Sequence, residues 1–238
     1  MGTIAPVYSK IRANRMKKKA LVPAALLAVA VAAFAAYKVY DTHTTQLRII
    51  ALVKDTTERL RTLLSAPSAG NAGPIVEAHL SATDAHVSAL RNMKTAALTP
   101  LADAADDALV TSREIMRRQL GMEQARKGLA LSFDTFARHI RSDRGRNDWT
   151  REAVRIKAAV DKNLRDYRIA VESYSTLLES FPASQAKVAP FLEPSLLIDE
   201  KLLRNARQRA LDSYADTDQT IKRVSTLQAY RVGAGRAR

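Results

Sequence analysis

Two histidines carry the residue types that could do chemistry in this 238-residue chain. They lie in EAHLSATDAHVSAL, residues 77–90. His79 and His86 are seven apart, and each follows an acid and an alanine, Glu77-Ala78 and Asp84-Ala85. Imidazoles beside carboxylates are the raw material of metal binding and of acid–base catalysis. On a helix, however, seven residues separate the side chains by about 10 Å along the axis, whereas the ligands of one metal ion lie about 2 Å from it. A helical metal pair needs i, i+4 spacing, and the positions that would supply it are Thr83 and Ala82. The stretch is one heptad written twice, in which Leu80, Thr83, Val87 and Leu90 step by three and four and form a buried seam. Both histidines then flank that seam, where protonation near pH 6.5 can tune packing.

Other chemistry is absent from the sequence. No dinucleotide or P-loop glycine pattern, no HExxH and no GxSxG occurs. The chain has no cysteine, which excludes disulfides, thiolate zinc sites and cysteine nucleophiles. His43 sits as a polar residue beside an apolar segment, and His139 ends a long helix, where a cation suits the macrodipole. The neighbours Asp106 and Asp107 point different ways on a helix. These features predict no catalytic residue, no cofactor, no metal and no enzyme. One local basic cluster remains: Arg138, Arg141, Arg144, Arg146 and Arg151, partly offset by Asp143 and Asp148. It is expected to be a solvated helix end; the functional alternative is a docking patch for an acidic protein, an anionic glycan or lipid.

The elements that position these residues are helices. Of all residues 47% are hydrophobic but only 5% aromatic, and eight glycines with eight prolines leave long unbroken stretches. Abundant Ala, Leu, Arg, Glu and Gln favour helix, and no stretch alternates with period two. Breaks fall at APSAGNAGP (66–74), at Thr99-Pro100, where Thr99 is expected to cap and Pro100 to occupy the first turn, at SDRGRND (142–148), and at the prolines 182, 190 and 194. Between them, helices are predicted at 41–65, 75–98, 100–141, 148–181 and 195–230. Apolar stripes run through Ile49, Val53, Thr56, Leu60 and Leu63; through Ile115, Met122, Leu129, Phe136 and Ile140, interrupted by Gln119 and Arg126; from Trp149 through Val160 and Tyr167 to Phe181; and from Leu203 through Ala210 to Val224. The last two stripes each contain a four-four step, at 156–160–164 and 206–210–214, which predicts two helices side by side over the same length. The third helix would run about 60 Å and the last two about 50 Å each.

The net charge of +14 is uneven. Residues 1–40 hold seven basic residues and no acid, while the remainder mixes both signs without a long basic run. No nucleic-acid partner is therefore expected. Within that basic start, Ala20 to Tyr37 are 18 consecutive residues without a charge or strongly polar side chain. They span roughly 27 Å as a helix, against a hydrocarbon core of about 30 Å. Tyr37 and Tyr40 fall at an aromatic belt, and Lys38 can snorkel. Lys10, Arg12, Arg15, Lys17, Lys18 and Lys19 precede the run; they place the N-terminus in the cytoplasm and should bind anionic lipid at the membrane surface. Ala24, Ala28, Ala32 and Ala36 recur every four residues and would let a second membrane helix approach. A cleaved signal peptide ending at Ala33-Phe34-Ala35 and a mitochondrial targeting segment compete with the anchor. The apolar run is longer than a signal peptide's usual 7–15 residues and more continuous than a targeting helix.

The expected architecture is all-α: an N-terminal transmembrane helix followed by an elongated antiparallel helical bundle of coiled-coil type. Residues 1–19 are the basic cytoplasmic tail, 20–40 the transmembrane helix, 41–231 an extracytoplasmic bundle and 232–238 a flexible tail. This is the layout of a single-pass protein of a bacterial inner (cytoplasmic) membrane, with its C-terminal domain in the periplasm or outside. The expected role is a scaffold or accessory subunit that acts by protein–protein contact, with membrane lipid and a protein partner or a second copy as its partners. The alternative is a helical, sensor-like module holding a ligand between helices, for which Gln119, Arg126 and Asn163 are the polar hints inside the seam.

Overall fold

A computed structural model describes the backbone of residues 5–66, 73–93, 96–142 and 148–234, and the side chains of these from Val29 to Thr226. It has five helices packed together: α1 Ala5–Ser65, α2 Gly73–Arg91, α3 Thr99–Arg141, α4 Trp149–Val188 and α5 Glu200–Ala234. Three short 3-10 turns, Ala96–Leu98, Ala189–Phe191 and Pro194–Leu196, fill the connections. Among the described residues there is no strand.

Side-chain contacts fix the directions. His139 meets Trp149 at one end of the α3–α4 pair, Asn163 reaches Gly128 in the middle, and Thr111 meets Ser184 at the other end. These two helices are therefore antiparallel, and theirs is the most extensive interface of the fold. Arg91–Asp106 and Asp84–Arg117 set α2 antiparallel to α3, and Thr56–His86 with Arg59–His79 set α1 antiparallel to α2. Tyr167–Ser213 and Glu179–Arg207 set α5 antiparallel to α4. The matched four-four steps of α4 and α5 consequently do not meet: Ala210 lies opposite the stretch between Tyr167 and Glu179, away from Val160.

The predicted stripes are the core. Ile49, Val53, Thr56, Leu60 and Leu63 are all buried, as are Ile115, Leu129, Phe136 and Ile140, and Trp149, Val160, Tyr167, Val171, Tyr174, Leu178 and Phe181. Two clusters result. The smaller joins Ile49 and Val53 to Val87, Leu90 and the alanine-rich first turns of α3. The larger runs from Leu60 and Val76 to Trp149 and Ile221.

Several boundaries differ from expectation. Helix α1 is continuous from Ala5 to Ser65, with no division near residue 40. Helix α2 ends at Arg91, where Asn92 and Met93 turn back through bonds to Ser88 and Leu90 so that α3 can return antiparallel. Thr99 does not cap α3, because its hydroxyl donates to the Ala96 carbonyl at 3.2 Å. Helix α4 continues through Pro182 to Val188. The proline forfeits the bond to the carbonyl four residues back and its ring crowds that carbonyl, a cost of about 3 kcal/mol. Beyond it the buried Val188 holds the last turns, together with Gln185, which donates to the Ile198 carbonyl at 3.0 Å and accepts the Ile198 N–H at 2.7 Å. Arg61 of α1 clasps the same linker by donating to the Ser195 and Leu197 carbonyls, both at 3.0 Å. Helix α5 starts at Glu200, where the Asp199 carboxylate accepts the Lys201 N–H at 2.8 Å.

Side chains from Val29 to Arg48 are exposed or half-exposed, and Ile49 is the first buried one among the described residues. Over these 20 residues, about 30 Å of helix, α1 leaves the bundle without covering it. No helix is long and apolar enough to cross a membrane among the described residues. The basic residues 10–19, Ala24, Ala28 and the first part of the apolar run lie outside the described side chains; Ala32 and Ala36 are exposed.

Candidate functional site

The two histidines face α1. The heptad seam turns Val76, Thr83, Val87 and Leu90 inward, so His79 and His86 emerge at its edge, each half-buried. Helix α1 presents Asp55 and Arg59 one turn apart, next to the buried Thr56 and Leu60. Arg59 Nε donates to Asp55 Oδ2 at 2.7 Å. The histidines bracket that pair: Arg59 Nη1 lies 3.4 Å from His79 Nδ1, and His86 Nε2 lies 3.3 Å from Asp55 Oδ2. The second nitrogen of His86, Nδ1, meets the Thr56 hydroxyl at 2.9 Å. The network assigns the hydrogen of both neutral rings to Nε2. Burial lowers His79 below the usual imidazole range and Arg59 lowers it further, with Asp55 opposing. Burial also lowers His86, with Asp55 opposing and Arg59 adding to the lowering. Asp55 and Arg59 are the partners that spacing within α2 could not reveal, because they lie 20 to 31 residues away on another helix.

A second polar group lies deeper. Near the end of α1, all five helices surround a cavity of about 60 Å³ lined by Leu64, Ile75, Gln119, Glu123, Tyr174 and Arg209 among others. Arg209 donates to the Leu64 carbonyl, which closes the C-terminus of α1. Glu123 is only 5% exposed, and its Oε2 accepts from Arg126 at 2.8 Å. Gln119 Oε1 is buried without a hydrogen-bond partner. Tyr174 is 3% exposed; burial pushes its hydroxyl up, against the field of Arg209, and no hydrogen bond opposes that shift. Of the three polar hints in the sequence, Gln119 lines this cavity, Arg126 reaches it only through its bond to Glu123, and Asn163 donates to the Gly128 carbonyl at 3.3 Å and ties α4 to α3. Glu123, one turn from Gln119 on the same face, is the member that the stripe concealed.

A buried polar atom without a partner, such as Gln119 Oε1, costs about 1–3 kcal/mol. Gln119→Leu is therefore expected to stabilise the chain by about 1 kcal/mol, raising the melting midpoint by roughly 2–4 °C. A fall in the midpoint would mean that something occupies the cavity and bonds to that oxygen.

The third group is the α3–α4 turn. The imidazole of His139 stacks on the Trp149 indole, with centroids 5.1 Å apart and 20° between the planes. His139 Nε2 donates to the Trp149 carbonyl at 3.0 Å, and Trp149 Nε1 donates to the His139 carbonyl at 3.2 Å. His139 thus closes the turn rather than simply facing the helix end. Around it, Arg138 pairs with Asp134 at 3.0 Å, Arg151 with Asp148 at 3.5 Å, and Arg141 is exposed. Arg144 and Arg146 lie outside the described residues. Among the described residues, no three His, Cys, Asp or Glu side chains gather in a set that could hold a metal ion.

No known family matches this chain. Searches of curated proteins and of solved structures likewise yield no match.

Proposed function

We propose that this protein is a single-pass, membrane-anchored helical scaffold or accessory subunit acting through protein–protein contacts on the extracytoplasmic side. In this reading the N-terminal part of α1 is a transmembrane helix of the cytoplasmic membrane, and the remaining helices form an elongated antiparallel bundle of coiled-coil type. The observation that carries it is the exposed apolar collar of α1: Val29, Val31, Phe34, Tyr37, Val39 and Tyr40 are each more than 60% exposed. A helix hydrophobic on every side needs an apolar solvent or a protein cover, and the bundle supplies none. Lys38 Nζ lies 5.7 Å from the Phe34 ring centroid, an arrangement suited to a headgroup boundary. Contact by surface rather than catalysis fits the three polar groups, which join helices to each other; the hydroxyl that does meet an imidazole, Thr56 against His86, is only 1% exposed and so is closed to a substrate.

Reporter fusions at both ends give the topology, and photo-crosslinking from Arg141 gives the partner. An extracytoplasmic C-terminus and a discrete crosslinked product are expected. A cytoplasmic C-terminus overturns the placement, and absence of any crosslink overturns docking at the tip.

The sensor-like module is the second reading, favoured by the buried Gln119 oxygen, which has no hydrogen-bond partner and lines the same cavity as Tyr174. A cavity of 60 Å³ admits about four water-sized groups, so its ligand would be very small.

A further inference from the structure

We propose that the chain His79–Arg59–Asp55–His86 is a pH-sensitive clasp between α1 and α2, closed while His79 is neutral and released when His79 is protonated. The two histidines are not equivalent. Neutral His79 offers the Nδ1 lone pair to Arg59 Nη1 at 3.4 Å. Protonation puts a hydrogen on that nitrogen, so two N–H groups of two cations face each other. The bond is lost and replaced by repulsion at close range. His86 behaves in the opposite way. Its Nε2–H already points to Asp55 Oδ2 at 3.3 Å, and the hydrogen gained at Nδ1 finds the Thr56 oxygen at 2.9 Å. Protonated His86 then competes with Arg59 for Asp55, which loosens Arg59 at the moment His79 repels it.

Asp55 and Arg59 of α1 are the charges that act on both rings. Of the acids of α2, Glu77 and Asp84, neither acts on His79 as Asp55 does, and Asp84 is held from α3 by Arg113 and Arg117, each at 3.5 Å. Both histidines sit below their ordinary value when folded. Their stabilisation is therefore fully present above the unfolded value near pH 6.5 and is lost as pH falls from there through the lowered folded values. The clasp lies just past Ile49, where α1 enters the core. Acid loosens the seat of the helix that leaves the bundle. A role in sensing outside acidity rests on the proposed placement, but the switch itself does not.

The test uses the purified full-length chain in detergent. With no native cysteine, Leu47→Cys and Ser81→Cys give two exposed spin-label positions on α1 and α2. At pH 7.5 one distance population is expected, and at pH 5.5 a second, longer one, with a melting midpoint about 3 °C lower. His79→Gln, whose amide oxygen still accepts from Arg59, should abolish the longer population, whereas His86→Gln should keep it. Identical distance distributions at the two pH values, or a His79→Gln chain that responds like the wild type, overturn the proposal. Should either variant fail to fold, proton NMR titration of wild-type His79 decides: a value at or above 6.5 overturns the clasp and a value below it supports it.

Discussion

Replacing Val29 and Val31 together by arginine is expected to move the full-length chain from the membrane pellet to the supernatant on alkaline carbonate extraction. Both positions lie near the middle of the apolar run and are exposed on the free part of α1. An arginine at the centre of a membrane helix costs about 2.5–3.5 kcal/mol on insertion scales, so two cost about 5–7. The run has little reserve against such a loss, because nine of the 18 residues from Ala20 to Tyr37 are alanine, each burying little apolar area. Folding of the bundle is untouched, since Ile49 is the first buried residue among those described, and the melting midpoint of the extracted variant should match the wild type. Leu47→Arg, half-exposed beyond the run, is the control and should stay in the pellet. A wild-type chain that is itself extracted, trimmed after Ala35, would show a cleaved leader. A double variant that stays in the pellet would show that something other than this segment holds the chain.

How far the sequence reveals this fold depends on which kind of information a residue carries. Periodicity reports the face of a helix, and the faces of α1, α4 and α5 were legible: Ile49, Leu60, Val160, Tyr167, Ala210 and Ile221 are all buried where their spacing put them. The alanine-rich start of α3 was less so. Ala102, Ala104, Ala105 and Ala108 are buried there, but alanine suits a buried and an exposed helix face equally well, so no stripe stands out. Pro182 does not end its helix, because the cost of about 3 kcal/mol for an interior proline is offset by the burial of Phe181 and Val188 on either side of it. Periodicity is also silent about which helix faces which.

The same limit governs the candidate sites. The position of His79 and His86 beside a seam follows from seven-residue spacing, but Asp55 and Arg59 become their partners only once α1 and α2 pair. Gln119 and Arg126 were visible as polar interruptions of one stripe. Tyr174 and Arg209, which complete the cavity, come from α4 and α5 and looked like ordinary stripe and surface residues. Polar residues inside an otherwise apolar seam are the one signal that pointed there, and Glu123 would have joined them had the face been followed one turn past Gln119.

The second large effect is expected at the far end of the bundle, from Phe136→Ala. Phe136 is 0% exposed and belongs to the cluster that contains Ile140, Trp149 and Ala153. Among the described residues, the region beyond the ends of α1 and α2 rests on α3, α4 and α5, and α3 touches α5 only slightly. With one large ring removed, few neighbours are available to close the gap, which places the loss toward the upper part of the range of about 3–5 kcal/mol for such a truncation. The melting midpoint should fall by about 10 °C. Leu131→Ala, on the same helix but 72% exposed, should change it by less than about 2 °C. Hydrogen exchange should locate the damage: amides of residues 129–141 and 149–160 lose protection, while those of Leu52–Leu63 keep it. Because Arg138, Arg141 and Arg151 ride on those two helix ends, crosslinking from Arg141 should weaken in the same variant at temperatures well below its melting midpoint. Equal effects from Phe136→Ala and Leu131→Ala would mean that the tip is not packed around this ring, and the arginine cluster would then lack the rigid support that a docking patch requires.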